Sequence, residues 1–369
     1  MSRSARNRTD APYQFHAFEV SYFSAKVRPA LRYKGVWYEE RRADLPEIRA
    51  RTGLGFIPIV VTPDGETWQD STDIYRRLEA RHPEPPLFPA GALQRVAAQL
   101  VELYSDEFAL LPAMHYRWGS ELADATARAR FGAMLGSLDA GRRAADRMAK
   151  ARFGVGASLE AGPAIEAHTH ELLAALSSHF ETHPYLLGAR TSFADCALMG
   201  PLDGHFFCDL VSRRLLLETA VPVVGWIERC KFPSADRQGA WLAEDVLAPT
   251  LIDVLGVMGR DAAPMLLDLL RSFEAWADQR PAGSSEPPRS VGPCETALRG
   301  TPIRRATLAY TLYSVQQVLD LLHGLAAEGR ARVTEVLAGT GWAELLAYAP
   351  RHRLRRDGFA LVFDPGPSR

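Results

Sequence analysis

The residues whose types and spacing best suit ligand binding lie between positions 53 and 75. The apolar, β-branched run 56–61 predicts a strand, a Pro-Asp-Gly turn follows it, and residues 66–69 predict the returning strand of a hairpin. Because Pro58 has no N–H to donate, it belongs at the start or edge of a strand, where the bond before it is cis at modest cost. The backbone N–H and C=O of Ile57 are then outside the ladder and available to a ligand.

An acid and a serine follow the hairpin directly and open the next helix. Asp70 and Ser71 precede the predicted helix 72–80, so their side-chain oxygens and backbone N–H groups meet the positive end of the helix dipole. Together with the backbone of Ile57, these groups suit the main chain and the charged end of a peptide-like ligand. The stretch therefore predicts a peptide-binding corner.

This corner resembles that of the glutathione transferase superfamily, whose thioredoxin-like half carries a cis-proline before a hairpin and an acid–serine pair at the next helix start. By this resemblance, Ile57, which precedes Pro58, pairs its backbone with the cysteinyl part of glutathione. The resemblance also implies that Asp70 and Ser71 hold the γ-glutamyl group. The alternative is a hairpin with a buried proline and an ordinary capped helix.

A second candidate group lies at the first junction between a strand and a helix. Residues 12–20 predict a strand, and the helix that follows ends at Gly35, with Ser21 as its natural N-cap. In the superfamily, a Ser or Cys at this junction precedes a basic-Val-Arg run, here residues 26–28, and the resemblance gives Ser21 the catalytic position. Tyr22 stands where many members have proline and supplies a second hydroxyl should Ser21 point away. A capping role alone would also explain Ser21.

The chemistry implied by the resemblance is activation of a thiol. A free thiol has a pKa of about 8.5, and a helix N-terminus with a hydroxyl donor such as Ser21 would lower this pKa to about 7. The thiolate would attack a small hydrophobic electrophile in conjugation or isomerisation. Unlike a cysteine, Ser21 cannot form a mixed disulfide with glutathione.

Two other classes of protein remain as alternatives. One is a non-catalytic binding or assembly module that uses the transferase fold. The other is a redox enzyme of the thioredoxin kind, which is disfavoured because the chain has no cysteine before Cys196.

Aromatic residues of the following helical segment are candidates for the electrophile pocket. Tyr104, His115, Tyr116 and Trp118 lie on the face opposite an apolar stripe in the segment 92–118, and aromatic side chains are typical of apolar ligand pockets. For each one taken singly, a place in the core or in a dimer face is the alternative reading.

A structural motif with a clear spacing lies further along the chain. Ser192 precedes Asp195 by three positions, which is the spacing of a capping box with an acid at the third helical residue. It resembles the N-capping box of the all-helical second domain of the transferases, where the motif is structural. We therefore expect these two residues to serve folding and not chemistry.

These groups imply an α/β domain followed by an all-α domain. The predicted organisation is a disordered tail at 1–11, a thioredoxin-like domain at 12–83, a proline-rich linker at 84–91, an all-helical domain at 92–230 and an α-rich extension of unassigned role at 231–369. Within these parts the pattern predicts a second strand at 36–41, a kink at Pro29 and helices at 126–152, 165–182, 239–258, 263–279 and 307–325. It also predicts two hairpins, one at 295–306 that turns at Gly300 and one at 353–364 that turns at Asp357-Gly358, and these hairpins join in one small sheet.

Composition restricts the remaining possibilities. The 369 residues carry 43 Lys+Arg and 44 Asp+Glu, for a formal net charge of -1, so no overall field indicates nucleic acid. No apolar run approaches the roughly 20 residues that span a bilayer, and the polar start is not a signal peptide. The spacing of the four cysteines and ten histidines does not suit a metal. We expect a cytoplasmic protein without metal or membrane contact, a homodimer by resemblance, with a role in detoxification.

Overall fold

A computed structural model of the protein describes residues 11–281 and 284–365, so all but the last residue of the predicted tail at 1–11 lies outside the described residues. The chain begins with a four-stranded sheet in the order β2-β1-β3-β4. Its strands are β1 Tyr13–Ala17, β2 Tyr38–Arg42, β3 Ile59–Val61 and β4 Thr67–Gln69. β1 and β2 are parallel, whereas β3 is antiparallel to both β1 and β4.

Helices on the first sheet complete a thioredoxin-like domain. α1, Tyr22–Tyr33, connects the parallel strands β1 and β2, and α3, Ser71–Arg81, follows β4. The order β-α-β followed by β-β-α confirms the predicted fold class for this part of the chain. α1 is one continuous helix across Pro29, because the apolar residues around the proline are fully buried against the core.

One helix of this domain is absent from the prediction. α2, Leu45–Thr52, lies between β2 and β3, and only Ile48 and Thr52 on it are buried, so its apolar stripe is too short to produce a visible period. Its local signal is in the caps. Asp44 accepts a hydrogen bond from the N–H of Glu47, and Gly53 ends the helix with a φ of 73°.

The second part of the chain is helical, as predicted. Its helices are α4 Ala92–Leu103, α5 Leu110–Trp118, α6 Glu121–Leu135, α7 Leu138–Gly154, α8 Gly162–Thr182, α9 Phe193–Pro201, α10 Leu210–Thr219 and α11 Val221–Lys231, with π-helical turns at Tyr104–Phe108 and Leu202–Phe207. The prediction of one helix at 126–152 is wrong. Gly136 ends α6 with a φ of 67° and Ser137 caps α7, so the chain reverses between two packed helices.

Beyond residue 231 the chain forms a long helix, two hairpins and three shorter helices. They are α12 Pro249–Asp278, β5 Ser290–Leu298, β6 Thr301–Leu308, α13 Ala309–His323, α14 Ala327–Leu337, α15 Ala343–Leu346, β7 Leu354–Asp357 and β8 Ala360–Phe363. The hairpins turn where predicted, with Gly300 and Gly358 at positive φ.

Two predictions for this region are wrong. The single helix α12 replaces two predicted helices at 239–258 and 263–279. The residues that precede and follow Pro264 in sequence are buried, and their packing outweighs the backbone hydrogen bond that the proline cannot donate. The hairpins form two separate two-stranded sheets and not one, since β5 and β6 pack on α12 whereas β7 contacts α13.

The three parts of the chain share one large apolar core. α1 packs on α9, which joins the first part to the second, and α13 and α14 both pack on α4, which joins the C-terminal part to the second. In the part of the chain that the structure describes, no helix combines the length and apolar character that crossing a membrane requires.

Candidate functional site

The topology of the first sheet brings the predicted glutathione-binding residues to one edge. Because β3 is antiparallel to both β1 and β4, the end of β1, the start of β3 and the end of β4 lie at the same edge. Ser21 follows β1, Ile57 and Pro58 precede β3, and Asp70 and Ser71 follow β4. Residues that are up to 50 positions apart in sequence therefore lie on one side of the sheet.

Ser21 is the N-cap of α1. Its Oγ accepts a hydrogen bond from the backbone N–H of Ser24 at 3.2 Å, and no hydrogen bond among the described residues uses its own hydroxyl proton. The side chain is half-buried. Ser21 thus combines a proton to donate with the positive end of a 12-residue helix.

A buried arginine that the sequence does not indicate holds the loop before Ser21. Arg117 donates from Nη1 to the carbonyl of Val20 at 3.0 Å and from Nη2 to the carbonyl of Gly204 at 2.8 Å. Its Nε donates to Asp209 at 2.6 Å. One guanidinium therefore joins the first loop to the helical part of the chain.

Tyr22 points into the protein. Its hydroxyl donates to the backbone carbonyl of Ser105, and burial raises its pKa well above the usual value. Gly200 and Gly204 pack against the side chain and backbone of Tyr22 so closely that a Cβ on either glycine would come within 3.1 Å of them. The proton of this hydroxyl is therefore already used, which favours Ser21 as the hydroxyl at the site.

The Ile57-Pro58 peptide bond is cis and lies just before the β3 ladder. No turn or loop hydrogen bond among the described residues uses the backbone N–H or C=O of Ile57. The preceding carbonyl, that of Phe56, accepts from Nε2 of Gln69 at 2.8 Å, which connects this loop to β4. The backbone of Ile57 is therefore available to pair with an extended peptide.

Asp70 is the N-cap of α3 and has a φ of 84°, which is rare for a residue other than glycine. Its Oδ1 accepts from the N–H groups of Thr72 at 3.0 Å and Asp73 at 3.2 Å. Its Oδ2 accepts from the hydroxyl of Tyr310 and lies 3.8 Å from Nη2 of Arg356. The C-terminal part of the chain therefore contacts the carboxylate that the resemblance assigns to the γ-glutamyl group.

A buried charge cluster lies behind the start of α3. Nζ of Lys26 donates to both carboxylate oxygens of Asp106, at 2.6 and 2.8 Å, and to Glu102 at 3.4 Å. Glu102 also accepts from the hydroxyl of Thr72 at 2.8 Å and from Gln99 at 2.7 Å. Burial raises the pKa of the Asp106 carboxyl to about 7 although Lys26 opposes this.

The four aromatic residues predicted for the electrophile pocket do not converge on one surface. Tyr104 and Trp118 are buried in the core, where the Tyr104 hydroxyl is 2.7 Å from Nε2 of His168. Tyr116 packs against Phe206, and His115 lies beside both Tyr116 and Glu166. The alternative reading as core residues fits Tyr104 and Trp118.

Ser192 and Asp195 form a capping box at the start of α9. Asp195 also accepts from the N–H of Leu186 at 2.9 Å and from the indole of Trp226 at 3.0 Å. The acid thus binds a loop and α11 as well as its own helix. No group of three or more metal-ligating side chains occurs within residues 11–281 and 284–365, and the absence of a metal remains a prediction.

The first part of the chain matches a known family. Residues 15–86 match the family model described as "Glutathione S-transferase, N-terminal domain". Glutathione S-transferase 1 of Dianthus caryophyllus is 34% identical over 89 residues, which are 22% of this chain and 40% of that protein. The chain thus spans two fifths of this curated relative. The thioredoxin-like part of the chain is therefore similar to the N-terminal domain of glutathione S-transferases, and the predicted resemblance to this superfamily is confirmed.

Solved structures of glutathione S-transferases are also similar to the chain. One from Rhodospirillum rubrum F11 has a TM-score of 0.42 and 20% identity, and covers 66% of this chain and 99% of its own. The Tau-class enzyme of Mangifera indica has a TM-score of 0.40 and 15% identity, with 60% and 89% covered. The rice enzyme in complex with glutathione has a TM-score of 0.39 and 20% identity, with 61% and 92% covered. At these scores the similarity adds nothing to the family assignment.

Proposed function

We propose that the protein is a glutathione-dependent transferase that activates the thiol of glutathione for attack on a small hydrophobic electrophile. The observation that supports this is the meeting of Ser21, the Ile57-Pro58 loop and the Asp70-Ser71 pair at one sheet edge of a glutathione S-transferase N-terminal domain.

Each group has a role in the proposed mechanism. The backbone of Ile57 pairs with the cysteinyl part of glutathione, and Asp70 and Ser71 bind its γ-glutamyl group. The hydroxyl of Ser21 donates to the thiolate at the N-terminus of α1, where the helix dipole also favours negative charge. The thiolate then forms a bond to the electrophile, in conjugation or isomerisation.

We propose that the electrophile reaches the thiolate from the helical part of the chain. His115 and Tyr116, the half-buried members of the predicted aromatic set, would contact it there.

We also propose that the parts of the chain are bounded at residues 83, 91 and 230. The protein would be a cytoplasmic homodimer with a role in detoxification.

Binding to immobilised glutathione tests the proposal directly. We expect retention on the resin together with ultraviolet absorbance of a thiolate when free glutathione is added near neutral pH. Absence of both would contradict the proposed function.

A substitution of Asp70 tests the γ-glutamyl assignment. Asp70→Asn keeps an N-cap oxygen and tolerates positive φ, but removes the charge that would face the ammonium of the γ-glutamyl group. We expect glutathione to bind about 10- to 100-fold more weakly in calorimetry. Asp44→Asn changes the same residue type at the N-cap of α2 and is the matched control, expected to leave affinity unchanged. Equal affinities for both variants and the wild type would remove Asp70 from the site.

A substitution of Ser21 separates catalysis from capping. Ser21→Ala should raise the pKa of the bound thiol by about 1 and reduce turnover at neutral pH about five-fold, with little change in affinity. As the loss of an N-cap, Ser21→Ala should also cost about 1 kcal/mol of stability. Ser137→Ala removes a similar cap from α7 and should cost about as much stability without changing the thiol pKa. The pKa is measured by ultraviolet titration. If Tyr22→Phe moves the thiol pKa and Ser21→Ala does not, Tyr22 takes the catalytic role.

A non-catalytic binding or assembly module is the second candidate. It is favoured by the hydrogen bond from Tyr310 to Asp70, since this bond already occupies one oxygen of that carboxylate. Such a module would be retained on immobilised glutathione without thiolate absorbance, whereas no retention would contradict glutathione binding by either candidate.

A further inference from the structure

The C-terminal hairpin β7–β8 brings an arginine to the start of α3. Nη1 of Arg356 lies 3.4 Å from the carbonyl of Gln69 and 3.9 Å from Oδ2 of Asp73, and Nη2 lies 3.8 Å from Oδ2 of Asp70. The side chain is 20% exposed. Arg356 therefore lies at the edge of the corner assigned to the γ-glutamyl group.

The guanidinium of Arg356 has donors that the protein does not use. It has five N–H donors, yet within the described residues its buried Nε has no hydrogen-bond partner, and its contacts with Asp70 and Asp73 are beyond hydrogen-bond distance. A buried cationic donor without a partner is costly, so it marks a place where an anionic ligand would be stabilised. Arginine binds carboxylates preferentially, through two parallel hydrogen bonds.

The hairpin is held firmly where it presents this arginine. Gln316 of α13 donates to the carbonyl of Leu354 at 3.0 Å and accepts from its N–H at 2.9 Å. Nη2 of Arg353 donates to both carboxylate oxygens of Asp320, at 2.6 and 2.7 Å. These contacts connect both residues before Arg355 to α13.

Helix α13 is in turn anchored beside the site. Buried Glu107 accepts from the hydroxyls of Thr311 at 2.7 Å and Ser314 at 2.9 Å. From the same helix, Tyr310 donates to Oδ2 of Asp70, and burial together with the nearby Asp70 raises the pKa of this phenol, so it stays neutral and a donor. The extension thereby orients the carboxylate of Asp70 and brings Arg356 next to it.

We propose that the extension completes the γ-glutamyl end of the site, with Arg356 binding the α-carboxylate of the ligand and Asp70, oriented by Tyr310, binding its α-ammonium. A γ-glutamyl group carries both charges on one carbon, and an acid beside an arginine matches this pair. The inference rests on the proposed function, because it concerns the same site. The extension would then determine specificity for ligands that carry a free α-ammonium and a free α-carboxylate on one carbon.

Two glutathione analogues test the assignment of charges. 4-Aminobutyryl-Cys-Gly lacks the α-carboxylate and keeps the ammonium, whereas glutaryl-Cys-Gly lacks the ammonium and keeps the carboxylate. We expect Arg356→Gln to weaken glutathione and glutaryl-Cys-Gly about 10- to 100-fold in calorimetry, and to leave 4-aminobutyryl-Cys-Gly unchanged. Asp70→Asn should instead weaken glutathione and 4-aminobutyryl-Cys-Gly, and leave glutaryl-Cys-Gly unchanged.

The neighbouring residue provides the control. Arg355 lies on the same strand but points to the other side, with a half-exposed side chain 3.8 Å from Asp357. Arg355→Gln makes the same change of charge and should bind all three compounds as the wild type does. Thermal unfolding of each variant shows whether the hairpin stays folded, and Arg356→Lys, which keeps the charge, should recover part of the affinity.

The outcomes distinguish this inference from the proposed function. If the wild type binds glutathione and Arg356→Gln binds it equally well or more tightly, the extension does not supply the carboxylate site. Equal weakening of all three compounds would also overturn the inference, since it indicates a general structural effect. If the wild type binds no glutathione, the proposed function fails and this inference fails with it.

Discussion

Asp195→Ala is expected to lower the free energy of unfolding by about 3 to 5 kcal/mol, several times the effect of removing its capping partner. The fully buried carboxylate of Asp195 accepts from the N–H and the hydroxyl of Ser192, at 2.9 and 2.8 Å. It accepts as well from the N–H of Leu186 and the indole of Trp226. Removal of one side chain leaves several buried donors without an acceptor, which costs more than the hydrogen bonds themselves contribute.

Chemical denaturation of three variants measures this effect. Ser192→Ala removes one hydroxyl contact and should cost about 1 kcal/mol. Asp139→Ala removes an acid from the first turn of α7, where the side chain is 77% exposed, and should change stability by less than about 0.5 kcal/mol. An Asp195→Ala effect no larger than that of Ser192→Ala would show that the loop and Trp226 contacts contribute little.

Lys26→Met is expected to reduce the free energy of unfolding by about 3 to 5 kcal/mol, because it leaves a buried carboxylate unpaired. Lys26 is fully buried, and among the hydrogen bonds of the described residues it is the donor to both oxygens of Asp106. Glu102 keeps donors from Thr72 and Gln99 and is less affected. Lys150→Met, on the exposed side of α7, is the control and should be close to neutral.

The pH dependence of this loss identifies its cause. Lys26 lowers the pKa of Asp106, so its removal raises that pKa further above the unfolded value. A carboxyl with a raised pKa in the folded state binds its proton more tightly there than in the unfolded chain. Stability is therefore lost as pH rises from about 4 through the folded pKa.

The deficit of Lys26→Met should accordingly be larger at about pH 8 than at about pH 5. Adding Asp106→Asn should recover part of the lost stability, since the buried group is then neutral at every pH. A deficit that does not depend on pH, or no recovery in the double variant, would mean that Lys26 acts through packing.

The Lys26 cluster is also connected by hydrogen bonds to the candidate glutathione-binding site. Thr72, which donates its hydroxyl to Glu102, gives its backbone N–H to Asp70. The charged cluster between α1 and α4 therefore supports the start of α3 from behind. This is the helix end that would bind the γ-glutamyl group.

Several features could be read from the sequence because they depend on neighbouring residues. The capping box of Ser192 and Asp195, the N-cap at Ser21 and the turns at Gly300 and Gly358 follow from side-chain hydrogen bonds and backbone freedom over three or four positions. The corner at Pro58 and the acid–serine pair likewise occupy one short stretch. Apart from α2, which was not predicted, the order of strands and helices in the first domain follows from these local signals.

Only the tertiary structure decided which distant groups meet. Tyr310 is 240 positions from Asp70 in sequence, and the pattern of α13 alone does not indicate which of its residues faces that acid. The burial of the Tyr22 hydroxyl and the hydrogen bond from Arg117 to the carbonyl of Val20 likewise depend on how helices pack. The same reason explains α12, where burial of the residues before and after Pro264 keeps the helix continuous across this proline. Local chemistry determines helix ends and turns, whereas contacts between elements depend on the shape of the whole core.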